Sequence, residues 1–168
     1  IKRALPRRIQ MGQDPSLPDS QIHSGDVISF LNENLSQDAV VVTDVGAALL
    51  SGHYMYEQIA NRRFFTSQGL GEMGFGLPSS IGAYFADKSR QLVCLNTDGA
   101  LMFNLQELQV VKEHRIPLKL FVFNNFGYSM IRISQDNLFD GRLAGSSIDS
   151  GILDAVKKAI GNAKNSRY

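Results

Sequence analysis

Asp98 and Asn125 are the side chains best typed to hold a cation. They lie in Thr97-Asp98-Gly99 and Asn124-Asn125-Phe126-Gly127, each segment directly after an apolar run. A carboxylate, an amide carbonyl and a main-chain carbonyl are hard oxygen donors, a set that suits Mg2+ or Ca2+ and not zinc. Two further segments of this kind, Asp44-Val45-Gly46 and Gln68-Gly69-Leu70-Gly71, also follow runs that read as strands. The second of them opens GLGEMGFGLPSSIGA (69–83), which contains G-x-G-x-x-G. That pattern cradles a dinucleotide pyrophosphate when a strand precedes it and a helix opens at its third glycine. Here Gly76 and Pro78 follow the third glycine, which postpones the helix. No G-x-x-x-x-G-K-[ST] occurs, and none of the four segments contains lysine or arginine. A diphosphate bound there would be balanced by a metal and by helix N-termini. Taken singly, Asp98 reads as a helix cap and the asparagines as turn residues. Taken together, four polar or glycine-rich strand ends point to one ligand crevice.

Those ends need a sheet to align them. The β-branched run at 39–43 reads as a buried strand, and the runs at 63–67, 91–96 and 117–124 read as strands. Helices are predicted between them. Ser24 reads as an N-cap ahead of Val27, Ile28, Leu31 and Leu35, which fall at helical spacing. Residues 47–59 read as helical at their start, and Pro78 suits the first turn of a helix running to about Asp87. An amphipathic helix is expected over 104–115, another over 128–135, a loop over 137–151 and a closing helix over 152–164. Strands alternating with helices, the strands apolar throughout, predict an α/β fold: a parallel sheet flanked by helices on both faces.

Of the 168 residues, 43% are hydrophobic and 20% charged, the balance of a globular chain. Net charge is +1, so no nucleic-acid surface is expected. The basic residues Lys2, Arg3, Arg7 and Arg8 read as a solvated tail. No apolar run approaches the roughly 18 residues of a membrane span, and no signal peptide is visible. The single cysteine, Cys94, sits in an apolar run as core filler, and a cytoplasmic location is the expectation. Residues 1–20, with Pro6, Pro15 and Pro18, read as a linker to the domain at 21–168. With Ile1 in first place, a piece of a longer protein is expected.

The segment TDGALMFNLQELQVVKEHRIPLKLFVFNNFGY (97–128) resembles the thiamine-diphosphate motif: G-D-G, a helix carrying Glu-Leu, an apolar strand, then Asn-Asn. GLGEMGFGLPSSIGA is similar to the matching loop of acetolactate synthase and its relatives. The resemblance runs from about residue 24 to 150 and implies the C-terminal, diphosphate-binding domain of that family. It implies thiamine diphosphate and Mg2+ as cofactors. Asp98, Asn125 and the main-chain carbonyl of Gly127 would be the metal ligands. Gly99 and Ala100 would present N–H groups to the diphosphate, with Gly46, Ala47 and Ala48 on its other side. Gly71 and Met73 would meet the aminopyrimidine ring, and Met73 would hold the cofactor bent. Tyr128 would lie against the cofactor or, with Met130, form a wall for the substrate.

The implied reaction is decarboxylation of a 2-oxo acid such as pyruvate and transfer of the resulting carbanion. The implied partners are that substrate, a pyrimidine-binding domain in the same or another chain, and further copies in a homo-oligomer. No catalytic residue is expected in this chain, because the family's activating glutamate belongs to the pyrimidine domain. Glu72 reads as an exposed loop carboxylate and Glu107 as support for the helix after the metal loop. His53 is weighed against facing the substrate and set aside. Three features depart from the family pattern: Thr97 stands for the first glycine of G-D-G, Ala47 and Ala48 stand where relatives carry polar side chains, and the glutamate is missing. A threonine is strained if that position needs positive φ. The departures leave room for a second reading, a non-catalytic cofactor-binding or assembly domain. A third is an NAD-binding Rossmann domain, with Asp98 as its ribose acid.

Overall fold

Three valines and a threonine, Val40–Thr43 (β1), are buried along the whole strand. Such residues favour extended backbone, and burial on both sides demands cover on both. The computed structural model, which describes residues 21–59, 61–147 and Lys158, supplies that cover. β1 pairs in parallel with Arg63–Thr66 (β2) on one side and Leu92–Thr97 (β3) on the other. β3 pairs in parallel with Leu118–Phe123 (β4), giving the order β2-β1-β3-β4. Helix α1 (Ser24–Asn34) precedes β1, and α2 (Ala47–Met55) leads to β2. Helix α3 (Gly76–Ala86) leads to β3. Between β3 and β4 lie α4 (Asp98–Leu101), a 3-10 stretch (Met102–Glu107) and α5 (Leu108–Glu113); α6 (Ser129–Leu138) follows β4.

Ile28 and Leu31 of α1 and Ala48 of α2 pack with Val41, Val93 and Leu95 on one face of the sheet. Ile81 of α3 packs with Val40, Val42 and Leu92 on the other. This is the α/β architecture predicted, a parallel sheet with helices on both faces. Because β1 lies between β2 and β3, the chain steps outward to β2 and returns past β1 to β3. That reversal opens a crevice at the carboxyl ends of β1 and β3, where such sheets take their ligands. No helix among the described residues is long and apolar enough to cross a membrane.

Four local expectations change. The cap of α1 is His23, whose Nδ1 accepts from Gly25 N at 3.0 Å. Ser24 is instead the first helical residue, and its hydroxyl pairs with that of Ser51 on α2. The helix expected over 104–115 is α-helical only over Leu108–Glu113; its start is 3-10, and Asn104 (φ −138°) leaves helical geometry. The Asn104 amide turns away to donate to the Gly74 carbonyl at 2.6 Å. The helix over 128–135 runs on to Leu138, into the stretch expected to be loop. Thr97 has φ −113° and ψ 158°, ordinary extended backbone, so the threonine carries no strain. The linker over 1–20 and the closing helix over 152–164, apart from helical Lys158, lie outside the described residues. Cys94 is fully buried in β3, and that burial pushes its thiol up to about 12, which fits core filler.

Helix α5 ends in a Schellman turn: Ile116 N donates to Val111 O at 2.9 Å and Arg115 N to Lys112 O at 3.2 Å. Its left-handed position is Arg115, with φ 51°. A side chain there costs roughly 1–2 kcal/mol, part of which glycine returns through a freer unfolded chain. Arg115→Gly is therefore expected to stabilise the protein by about 1 kcal/mol, read as a higher urea midpoint at unchanged slope.

Candidate functional site at the carboxyl edge of the sheet

β3 ends at Thr97, and the next residue, Asp98, begins α4 with its side chain 3% exposed. Thr97 caps this helix, its Oγ1 accepting from Ala100 N at 3.4 Å. β4 ends at Phe123, and the chain turns through Phe126 (φ 59°) and Gly127 (φ 130°). The turn folds back on Asp98, whose Oδ2 accepts from Gly127 N at 2.8 Å. Arg132 of α6 fixes the same turn, donating to the carbonyls of Asn125 (2.5 Å) and Phe126 (2.8 Å). Tyr128 N donates to Ser146 O at 2.9 Å.

The three groups singled out in the sequence therefore meet. Asn125 Oδ1 lies 2.6 Å from the Gly127 carbonyl oxygen and 3.1 Å from Asp98 Oδ1, while Nδ2 donates to Ser129 Oγ at 3.0 Å. Three acceptors converging with no proton between them repel one another unless a cation sits among them. The alternative is an amide turned end for end, which would donate to both oxygens. Neighbouring ligands of an octahedral Mg2+ at 2.0–2.1 Å lie about 2.9 Å apart, and the two observed separations bracket that value. The donors thus fit a small, hard divalent ion. With one carboxylate among them they neutralise half its charge and leave the rest for an anionic ligand.

Asp44, directly after β1, is a functional position that sequence reasoning placed in the crevice without a role. It is fully buried. Its Oδ1 accepts from Val45 N at 2.9 Å and Gly74 N at 3.1 Å, and its Oδ2 from Gly76 N at 2.7 Å. Desolvation by burial raises its pKa, against the lowering by these bonds. Gly74 (φ 91°) is closed in from the other side, since a Cβ there would lie 2.9 Å from Phe103 Cβ and 2.6 Å from the Asn104 amide. The glycine loop is thus clamped between β1 and the 3-10 stretch. Its last glycine N–H groups face a carboxylate, so they are not free to hold a pyrophosphate. Helix α3 opens only at Gly76. Both facts speak against the dinucleotide reading of G-x-G-x-x-G. The signal was present in sequence: side-chain-free loop N–H groups need an acceptor, and Asp44 stands at the neighbouring strand end.

The remaining candidates surround this core. Gly46 (φ 83°) precedes α2 and makes no side-chain cap, leaving the first turn of Ala47 and Ala48 without one. The Ala48 side chain is buried against the sheet, so only its backbone can serve a ligand. Gly99 carries the ring of Tyr128, two of whose carbons would lie 2.8 Å from a Cβ there. Gly71 (φ 68°) donates its N–H to Ser67 O at 2.7 Å, and Met73 is half-buried beside it. Glu72 is exposed and bonded to the Ser67 hydroxyl, which lowers its pKa. His53 packs edge-on against Phe64, and Met130 is exposed on α6. An open depression at the opposite edge of the sheet, lined by Lys88, Arg90 and Lys119 among others, contains none of these residues.

Comparison with known proteins identifies the family. The chain is 37% identical over 136 residues to the acetolactate synthase isozyme 2 large subunit of Escherichia coli (strain K12), covering 78% of this chain and 24% of that protein. It is 35% identical over 130 residues to the acetolactate synthase large subunit of Parasynechococcus marenigrum (strain WH8102), covering 75% and 20%. The chain thus spans about a fifth to a quarter of these relatives' length. The fold is shared with the thiamine diphosphate-dependent 4-hydroxybenzoylformate decarboxylase of Rhodococcus jostii RHA1. That match has a TM-score of 0.72 at 19% identity over 88% of this chain and 28% of the other. Residues 44–163 match the family model described as "Thiamine pyrophosphate enzyme, C-terminal TPP binding domain", and the chain belongs to that family.

Proposed function

We propose that this chain anchors the diphosphate of thiamine diphosphate through Mg2+ held by Asp98, Asn125 and the Gly127 carbonyl. It would act as the cofactor-binding part of an acetolactate synthase-like enzyme working on a 2-oxo acid such as pyruvate. The observation that carries this reading is the convergence of the Asn125 amide end, the Asp98 carboxylate and the Gly127 carbonyl at separations suited to ligands of an octahedral ion. Gly99 and Ala100, with Gly46, Ala47 and Ala48, would offer backbone N–H groups to the phosphates. Gly71 and Met73 would contact the aminopyrimidine ring. Tyr128, resting on Gly99, would brace the metal turn beside the cofactor.

When bound, the cofactor supplies a nucleophilic carbon that accepts the 2-oxo acid and carries the negative charge left when CO2 departs. The chain's own part is to neutralise the diphosphate, fix its position and exclude water. Its nearby carboxylates are committed elsewhere: Asp44 to three loop N–H groups, Glu72 to Ser67. An activating glutamate would therefore come from a pyrimidine-binding domain in the same protein or a second copy. Leu70, Met102 and Phe103, apolar and exposed on and beside the glycine loop, suit a surface covered by such a domain. The expected location is the cytoplasm.

Calorimetry of the chain with thiamine diphosphate tests the reading. Binding is expected with Mg2+ and lost on adding EDTA. Equal binding in EDTA, or none with Mg2+, would overturn it. Release of CO2 from pyruvate after adding a pyrimidine-binding domain would separate the enzyme from a binding domain without turnover.

A further inference from the structure

Asn125 has two end atoms in a pocket where only one arrangement suits an ion. With Oδ1 toward Asp98 and Gly127, the amide presents an oxygen to the cation and Nδ2 donates to Ser129 Oγ at 3.0 Å. With the amide turned over, the nitrogen donates to Gly127 O at 2.6 Å and Asp98 Oδ1 at 3.1 Å, and the oxygen accepts from the Ser129 hydroxyl. A hydroxyl both donates and accepts, so Ser129 satisfies either state by rotating its proton. The backbone of the turn does not need to move. Arg132 holds the carbonyls of Asn125 and Phe126, and Asp98 holds Gly127 N. Ser129 is the first residue of α6, and the cap position before it, Tyr128, makes no side-chain capping bond.

We propose that Ser129 is a positioning residue for the divalent ion, the hydroxyl that lets the Asn125 amide turn over as the ion enters and then holds its oxygen on the metal. The inference rests on the metal site proposed above. Without the hydroxyl, the ion-free orientation keeps both of its N–H bonds, to Gly127 O and Asp98. The ion-bound orientation loses the one acceptor its amide nitrogen has among the described residues. Ser129→Ala therefore favours the ion-free state. Loss of an outer partner of a metal ligand lowers metal affinity about 10–100-fold.

The test is titration with Mn2+ at saturating thiamine diphosphate, free Mn2+ being read by its electron paramagnetic resonance signal. The full chain and the variants Ser129→Ala, Ser129→Thr, Asn125→Asp and Ser129→Ala/Asn125→Asp are compared. Affinity is expected to fall about tenfold in Ser129→Ala and to return in Ser129→Thr. Because a carboxylate presents an oxygen to the ion whichever way it turns, adding Ser129→Ala to Asn125→Asp is expected to cost clearly less than it does in the wild type. In parallel, the side-chain NH2 resonances of Asn125, identified by their loss in Asn125→Asp, should move when Mg2+ and cofactor are added to the wild type and should respond differently in Ser129→Ala. Equal Mn2+ affinity of wild type and Ser129→Ala would overturn the role of Ser129 and leave the metal site standing. So would an equal loss in the Asn125→Asp background. A wild type that takes up no Mn2+ would overturn the metal site itself and this inference with it.

Discussion

Asp44→Ala is expected to destabilise the protein by about 3 kcal/mol, with little of that loss attributable to packing. The carboxylate accepts from Val45, Gly74 and Gly76, and its removal leaves those N–H groups without their partner in a buried place. One such orphaned donor costs about 1–3 kcal/mol, and water entering the cavity offsets part of the sum. Asp44→Asn keeps the shape but turns an NH2 toward at least one donor, so about 1–2 kcal/mol is expected. The two variants also expose the cost of the charge. Burial raises the Asp44 pKa above its ordinary 3.8, and the charge of Glu72 adds to the rise. The native state then binds this proton more tightly than the unfolded chain. The stabilisation from that proton is complete below about pH 3.8 and fades as pH climbs through the higher native value. Wild type should therefore lose stability relative to Asp44→Asn as pH rises through this window and run parallel to it above. Urea unfolding of both proteins across pH 4–8 checks this. A wild-type advantage that grows with pH would contradict the desolvation account.

The two inner strands were legible because burial on both faces favours a nearly continuous apolar run, whereas β2 and β4 are only half-buried and stood out by their aromatic and aliphatic residues. Val40–Thr43 and Leu92–Thr97 are buried at every position. The crevice was legible because parallel strands must place their carboxyl ends on one edge, and Asp98, Asn125 and Gly127 lay at such ends. What sequence left hidden are polar pairings between distant segments. Asn104 fits the helical pattern, yet the Gly74 carbonyl draws it out of the helix. Ser24 has the composition of a cap, yet Ser51 takes its hydroxyl and His23 does the capping. Asp44 looked like one more crevice carboxylate, although its oxygens are fully engaged by the loop opposite. Such contacts follow no periodicity and depend on which strand ends the topology brings together. Thr97 shows the reverse case. A substitution that looked strained beside the family pattern is unstrained because its backbone is extended, and its hydroxyl caps the next helix.

Asp98→Asn should behave in the opposite way to substitutions at Asp44. Both carboxylates are buried at neighbouring strand ends. Asp44 is satisfied by three N–H donors, whereas Asp98 accepts one, from Gly127, and its other oxygen faces the amide end of Asn125. Without an ion the Asn125 amide turns over and donates to that oxygen, but a buried carboxylate with no cation beside it still carries its desolvation cost. The amide introduced by Asp98→Asn can keep the bond from Gly127 N and donate to the Asn125 oxygen opposite. The ion-free variant is therefore expected to be as stable as wild type or more so, by about 1 kcal/mol. Its Mg2+-dependent affinity for thiamine diphosphate should fall at least about 100-fold, because the only charged ligand is gone and the loss exceeds that from an outer partner. Urea unfolding in EDTA gives the first quantity and calorimetry with Mg2+ the second. A variant that loses stability like Asp44→Ala while still binding cofactor would make Asp98 a structural residue and leave the ion without a site.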